Sequence, residues 1–428
     1  MYHNVFEQSG DIFTFNGVNT LHKILSTGCF GTIEDVQLIQ SLKGKKYDAA
    51  FVEHLDACGL IVAELVGIKT VMLFSVQGVS FPARYYLNLP SAPGFVPVYN
   101  EVPPSGYEMS FVERAMNLYN YWRYEMYIPK KLLGVAAKLQ SADLLPKDFP
   151  SVEELGSQIS YLFVNSVEFL NFPDFYTPQV KHIGGIGMPK AGNVDNFILP
   201  IIEKAKKGVV WFSFGSIVNT KLMNARIRQS FIAAFSQFEE YEFLWQMKDI
   251  DEDVKNAFAS YNNIHLIEWL NQPALLAHNK TKAMISHGGL TGLFEAINYG
   301  VPLISIPMFM DHKRSAALAK YHGIGVILDK YTLTVDKIAS ALREVLESEI
   351  YQQNILKKQK MLKDANPKPE EVFLHSVKYA TEHGEELKKI NIPRCKNHLD
   401  EESDELELVD VGLGRFTCCV FSMFGTIK

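Results

Sequence analysis

The sequence predicts an α/β protein of two halves, each built on a parallel sheet covered by helices on both faces. Three observations predict it. Continuous apolar runs recur along the chain, where a half-exposed sheet would alternate apolar and polar residues. Helical segments separate most of these runs. An aperiodic stretch rich in glycine and polar residues, "GGIGMPKAGNVDNF" from Gly184 to Phe197, divides the runs into two sets.

In the first half, "KYDAAFVE" (Lys46–Glu53) reads as a strand, "ACGLIVAELVG" as a helix closed by Gly67, and "IKTVMLFS" as a second strand. Pro90 to Pro104 is too rich in proline for helix or central strand and is expected to be a long loop. Ser110 to Gln140 reads as a helical region carrying Tyr119, Tyr121, Trp122, Tyr124 and Tyr127, and "YLFVNS" (Tyr161–Ser166) as a buried strand. After the divide, strands are expected at "GVVWFSF", "YEFLWQM", "IHLIEWL", "KAMISH" and "PLISIP". The expected organisation is a first domain over 1–183, a linker over 184–206 and a second domain over 207–371. A helix over 372–392 is expected to pack back on the first domain, and an acidic segment, "HLDEESDELELVDVG", lies in a mobile tail over 393–428.

The totals narrow the function. A chain of 428 residues is long enough for roughly two to three domains. A net charge of −6 with no basic run argues against nucleic acid as a partner. Cys29, Cys58, Cys395, Cys418 and Cys419 are too few and too scattered to suggest a disulfide framework, and none forms a C-x-x-C pair. No basic-then-apolar leader follows Met1, and the apolar stretch "FTCCVFSMFG" is about half of what spans a bilayer. A sequon, Asn279-Lys280-Thr281, matters only in a secretory compartment.

Ligands of an open parallel sheet bind outside the carboxyl ends of its strands, where helix N-termini point. "KAMISH" ends at His287, and Gly288-Gly289 let the backbone turn tightly toward a ligand. The helix "TGLFEAINYG" begins near Thr291, and its unpaired N–H groups suit a diphosphate. His287 adds a charge-assisted hydrogen bond, Thr291 a hydroxyl, and Glu295, one turn on, an acceptor for a ribose diol. Asp311-His312 occupies the same place after "PLISIP", Gly215-Ser216 after "GVVWFSF", and Trp269 with Gln272 after "IHLIE". A tryptophan face stacks on a flat base and a glutamine amide reads its polar edge. Each feature has a plainer use: a turn at His-Gly-Gly, a solvated Glu295, an Asp311 N-cap, a core Trp269.

The motifs "FSFGS", W-x-x-Q, "SHGG-x-x-G-x-x-E-x-x-x-x-G-x-P" and P-x-F-x-D, in order from Phe212 to Gly325, resemble the nucleotide-sugar half of the UDP-glycosyltransferases. The closest likeness is to the animal UDP-glucuronosyltransferases. A weaker likeness runs through Asp48–Ile68 and Val372–Ile390. It implies a GT-B fold, two Rossmann-like parallel-sheet domains facing a cleft, with the UDP-sugar on the second half and a small lipophilic acceptor on the first. By that likeness Trp269 stacks on uracil, Gln272 bonds the base and Glu295 holds ribose. Gly215, Ser216, His287, Gly289, Thr291 and Gly292 hold the diphosphate, and Asp311 and His312 face the sugar. The UDP-sugar is then a co-substrate, with no cofactor and no metal. His312 stands where the animal family usually has glutamine, and Thr291 where it more often has asparagine, so the donor hexose stays open.

The resemblance also implies an inverting displacement with a histidine base held by a carboxylate. Glu53 matches the carboxylate's place. The family's histidine would precede this chain. His3 and His22 do not fit its strand-end position, and His54 and Asp56 would serve only after a rearrangement. The family's location is the endoplasmic reticulum membrane, and the chain reads as a form shortened at its N-terminus with a replaced tail. Two activities follow as expectations: an active hexosyltransferase, or a catalytically impaired UDP-sugar binder that pairs with full-length relatives. "KDIDED" (Lys248–Asp253) offers a D-x-D for a divalent metal, but an acidic loop and helix N-terminus is the simpler reading. No G-x-G-x-x-G follows the first strand and no G-x-S-x-G elbow is present, which sets aside dinucleotide oxidoreductases and serine hydrolases.

Overall fold

The computed structural model describes residues 15–392, apart from 56, 100, 124–133 and 217. The expected tail, His3, Asp56, Tyr124 and Tyr127 lie outside the described residues. Two parallel sheets organise the chain. The first runs β1 (Ala49–Glu53), β2 (Thr70–Ser75), β3 (Ile159–Val164) and β4 (Val180–His182), hydrogen-bonded in that order. The second contains β5 (Gly208–Ser213), β6 (Tyr241–Gln246), β7 (Ile264–Ile267), β8 (Thr281–Ser286), β9 (Leu303–Ser305) and β10 (Gly325–Ile327). Its order is β10-β9-β8-β5-β6-β7, every pair parallel. The chain therefore winds outward in one direction from β5 and in the other from β8, which leaves a topological switch point between those two strands.

Both faces of the second sheet are covered, as continuous apolar strands require. Val210, Phe212 and Trp245 pack on one side with Phe231 and Phe235, and the Phe235 and Phe243 rings stack at 4.1 Å. Val209, Trp211 and Leu244 face the other side, against Leu293, Ile297 and Leu318. In the first half, the helix Cys58–Val66 ends at Gly67, whose left-handed φ of 82° accommodates the cap.

Two expectations are corrected. Cys29 and Cys58 form a disulfide with Cα atoms 5.6 Å apart, which ties the helix Phe15–Glu34 to the helix Cys58–Val66. Twenty-nine residues separate the two cysteines in sequence, and only the fold brings them together. Part of the stretch 184–206 is not linker. Leu199–Lys204 is a helix, and Ile198 and Ile202 are buried, because "ILPII" supplies an apolar face to the core of the second sheet. The helix Pro369–Leu387 crosses to the first sheet, where Ala380 and Leu387 join Met72, Tyr161, Phe163 and Ile183 in one apolar cluster. Among the described residues no helix is long and apolar enough to cross a membrane.

The halves meet along the helix His312–Tyr321 and the residues at its ends. Gln77 Nε2, two residues past β2, donates to Asp311 Oδ1 at 3.2 Å. Lys313 Nζ lies 2.7 Å from Glu101 Oε2, and the Arg314 guanidinium sits 4.9 Å from the Tyr99 ring and 5.2 Å from Phe172. At the far end the Tyr321 and Tyr107 hydroxyls are 3.1 Å apart, and His322 Nε2 donates to the Leu170 carbonyl at 3.0 Å.

Candidate functional site

The carboxyl edge of the second sheet is shaped by a device that recurs. A serine ends the strand, and its hydroxyl accepts the backbone N–H two residues on, which turns the chain out of the sheet. Ser213 Oγ accepts from Gly215 N at 3.1 Å and Ser286 Oγ from Gly288 N at 3.1 Å. The first sheet does the same at β2, where Ser75 Oγ accepts from Gln77 N at 3.3 Å. All three serines are buried. Sequence reasoning missed them. Their signal is a lone hydroxyl at the last position of an otherwise apolar strand.

The switch point lies between Gly215 and His287. Gly215 has φ +71°, and a Cβ there would stand 2.9 Å from His287 Cε1. On the other side a Cβ on Gly289 would stand 2.4 Å from His287 Nε2. Gly288, at φ +84°, leaves no room for one against the His312 carbonyl oxygen. Gly215 and Gly289 thus let the backbone close around the imidazole, and Gly288 lets it pass close to the His312 backbone. Burial lowers the His287 pKa to about 4, while a hydrogen bond to the Ser213 backbone opposes the shift. Burial thus favours the neutral imidazole in the free protein, and a neutral ring can still donate an N–H to an anionic phosphate oxygen. Its Nδ1 is buried without a hydrogen-bond partner.

The helix Leu290–Tyr299 starts one residue before the expected Thr291, with Gly289 at its N-cap position. Thr291 is exposed, Gly292 is buried, and Gly300 closes the helix at φ +72°. Glu295 is buried, which excludes the solvated reading, and its carboxyl pKa is raised by burial against the lowering effect of Gln272. Gln272 opens the helix Gln272–Ala277 after β7. Its Nε2 donates to Glu295 Oε2, and its Oε1 accepts from Trp211 Nε1 at 2.7 Å. Two residues 23 apart in sequence and expected on one ligand are thus brought together. Trp269, three residues earlier, is 67% exposed, so it does not serve as core packing. Ser216 is exposed, and its carbonyl accepts from Lys248 Nζ.

Asp311 stands at the N-cap position of the helix His312–Tyr321, yet its side chain makes no capping hydrogen bond. It accepts from Gln77 instead, and burial pushes its pKa up to about 6. Gln77 belongs to the first half and was not anticipated. Its place just past a strand's carboxyl end is the signal that would have found it. His312 is buried, its Nδ1 accepting from Phe309 N at 3.3 Å and its ring 4.5 Å from that of His287. Burial holds its pKa well below the usual histidine range, with His287 and Lys330 adding to the effect.

In the first half, Glu53 ends β1 and is half exposed, with Oε2 accepting from Leu55 N at 2.7 Å. His54 is buried directly beside it, Nδ1 2.7 Å from Glu53 Oε1 though without hydrogen-bond geometry, and Nε2 3.5 Å from Ser75 Oγ. His54 thus adjoins the carboxylate without a hydrogen bond to it. His22 lies on the helix Phe15–Glu34. In "KDIDED", Asp251 caps the helix Glu252–Phe258 by accepting from Val254 N and pairs with Lys221 at 2.7 Å. Among the described residues no group of three or more His, Cys, Asp or Glu is placed to hold a metal ion.

A family model described as "UDP-glucoronosyl and UDP-glucosyl transferase" matches residues 2–386. Among relatives, ugt-50 of Caenorhabditis elegans, which carries a UDP-glucuronosyltransferase name, is 26% identical over 387 residues, covering 89% of this chain and 71% of its own. UDP-glucuronosyltransferase 2A3 of Cavia porcellus is 28% identical over 363 residues, covering 84% and 66%. Among solved structures, Os79 from O. sativa, in complex with U2F and a trichothecene, superposes with a TM-score of 0.56 at 18% identity. That likeness spans 85% of this chain and 83% of Os79. Together with the two parallel sheets, these likenesses show the GT-B architecture.

Proposed function

Because the chain belongs to the UDP-glycosyltransferase family, we propose that it moves a hexosyl group, glucuronosyl first among the candidates, from a UDP-sugar to a small lipophilic acceptor with inversion. The observation that carries the reading is the Gln272–Glu295 pair at the carboxyl edge, three residues beyond the exposed Trp269. Trp269 offers an aromatic face to uracil, Gln272 its amide to the base edge, and Glu295 its carboxylate to the ribose diol. The diphosphate lies at the switch point, on the N–H groups that open the helix Leu290–Tyr299, with the hydroxyls of Ser216 and Thr291 and a neutral His287. Gly215, Gly289 and Gly292 let the backbone approach. Asp311 faces the sugar, where hexose hydroxyls replace the Gln77 amide, and His312 supports that loop from beneath.

In the transfer, the acceptor oxygen bonds to the anomeric carbon as the bond to the UDP oxygen breaks, and the acceptor proton passes to a base. Glu53 is the orienting carboxylate in this reading.

A second reading, a UDP-sugar binder with impaired chemistry that pairs with relatives, is favoured by a specific observation. Among the described residues, the histidines at the carboxyl edge of the first sheet are His54 and His182. The first is wholly buried, and the second is tied by Nδ1 to Ser166 Oγ at 2.8 Å. Titration calorimetry with UDP and a turnover assay with UDP-glucuronate or UDP-glucose and a phenolic acceptor separate the readings. Binding with turnover that Glu53→Gln removes supports the transferase, and binding without turnover supports the second reading. No UDP binding at millimolar concentration defeats both.

A further inference from the structure

Arg314 stands in the first turn of the helix His312–Tyr321 and is 6% exposed. A guanidinium carries five N–H donors and a charge that does not titrate, so its burial without an anion is costly. Among the described residues Arg314 makes no hydrogen bond or ion pair. Its contacts are the faces of the Tyr99 and Phe172 rings, at 4.9 and 5.2 Å. The carboxylates around it are engaged elsewhere. Asp311 accepts from Gln77 and Glu101 pairs with Lys313. Asp174 accepts from Arg84 with one oxygen and from Phe175 N at 2.8 Å with the other.

Arg314 and Arg84 line one cavity of about 20 Å3, together with Ala92, Tyr99, Tyr121 and Asp174. Burial raises the pKa of nearby Tyr176 to about 12, and both guanidiniums oppose that rise, so their charges reach the same ring. Two guanidiniums and a single carboxylate leave one positive charge in excess around the cavity. The ring faces offset part of it. A void needs roughly 10–15 Å3 to admit one water-sized particle. This one takes a single such particle and is too small for a phosphate, a sugar or an aromatic ring. Sign and size together select a small monatomic anion. None of Trp269, Gln272, His287, Glu295 or Asp311 lines the cavity.

We propose that this cavity binds one chloride-sized anion as the counter-ion of Arg314, at a site separate from the nucleotide edge. Arg314 is the second half's contribution and the other walls come from the first, so the ion is held only while the halves are together and favours the closed cleft. The proposal goes beyond the transferase reading and does not depend on it.

The test uses the full chain, with chloride as the probe and methanesulfonate, too large for the cavity, holding ionic strength constant. Chloride NMR is expected to show line broadening that saturates at one site per chain and is reversed by bromide. Tm is expected to rise over the same chloride range. Arg314→Met keeps a buried stem and removes the charge. Ala92→Leu, at a half-buried loop position, fills the cavity and leaves both guanidiniums in place. Each is expected to weaken chloride at least tenfold, and the second variant keeps the test decisive if the first fails to fold. Equal chloride binding by native and variant proteins, or no saturable broadening, overturns the proposal. So does displacement of chloride by UDP, which would put the ion at the nucleotide edge, or by glucuronate, which would make Arg314 a receptor for a sugar carboxylate. Loss of UDP binding with the chloride result intact would defeat the transferase reading alone.

Discussion

Replacing Trp269 with alanine separates a ligand platform from a structural residue. The ring is 67% exposed, so only about a third of it is covered by the protein. A tryptophan presents up to about 250 Å2, so the covered part is roughly 80 Å2, and at about 25 cal/mol per Å2 its loss costs at most about 2 kcal/mol of stability. Stacking of an aromatic side chain on a base contributes about 1–3 kcal/mol. Trp269→Ala is therefore expected to weaken UDP about 5- to 150-fold, and Trp269→Phe is expected to recover most of the loss. Calorimetric titration with UDP measures the first effect and urea denaturation the second. Unchanged UDP affinity, or a stability loss well above 2 kcal/mol, would refute the assignment of this ring to the base.

Glu295→Gln is expected to weaken UDP by about 1–3 kcal/mol through loss of a charged acceptor for the ribose, measured by the same titration. Its carboxyl is raised by burial, so the stability it lends is present at acid pH and lost as pH rises. At neutral pH the glutamine variant should melt no lower than the native protein. Asp311, raised to about 6, follows the same sign: its burial costs nothing below pH 4, and the cost grows until pH passes 6. Asp311→Asn should therefore gain stability relative to native between pH 4 and 6 and hold a gain of up to about 3 kcal/mol above that, read from thermal melts across pH. Cys58→Ser opens a crosslink between residues 29 apart and is expected to cost about 3–4 kcal/mol, visible as a lower urea midpoint that a reductant no longer changes.

Much of the fold was legible because burial on both faces leaves an unmistakable record. β2, β3 and β5 are largely apolar runs, β6 and β8 hold apolar stretches between Glu242 and Gln246 and between Lys282 and Ser286, and Gly67 and Gly300 mark where helices must stop. The short strands β4 and β10 left no such record, since three residues carry no periodicity and their pairing comes from the neighbouring strand. At the candidate site, strand-end positions could be read, but the surroundings of each side chain could not. Trp269 and Glu295 each had two readings in the sequence. Exposure removes the core-packing reading of the first and burial the solvated reading of the second, and both depend on packing from distant segments. The Gln77–Asp311 contact joins residues 234 apart and has no local signature at all, as is true of the Cys29–Cys58 bond.

The helix His312–Tyr321 grows out of the second sheet but is gripped along its length by Glu101, Tyr99, Phe172 and Tyr107 of the first half. Its leading end carries Asp311 and its trailing end abuts the Leu170 carbonyl through His322. Any change in the gap between the halves must therefore drag this rod with it, and the acid at its tip cannot keep its place while the cleft widens. Opening and the placement of Asp311 are in that sense one coordinate, and a distance probe across the cleft would report on both.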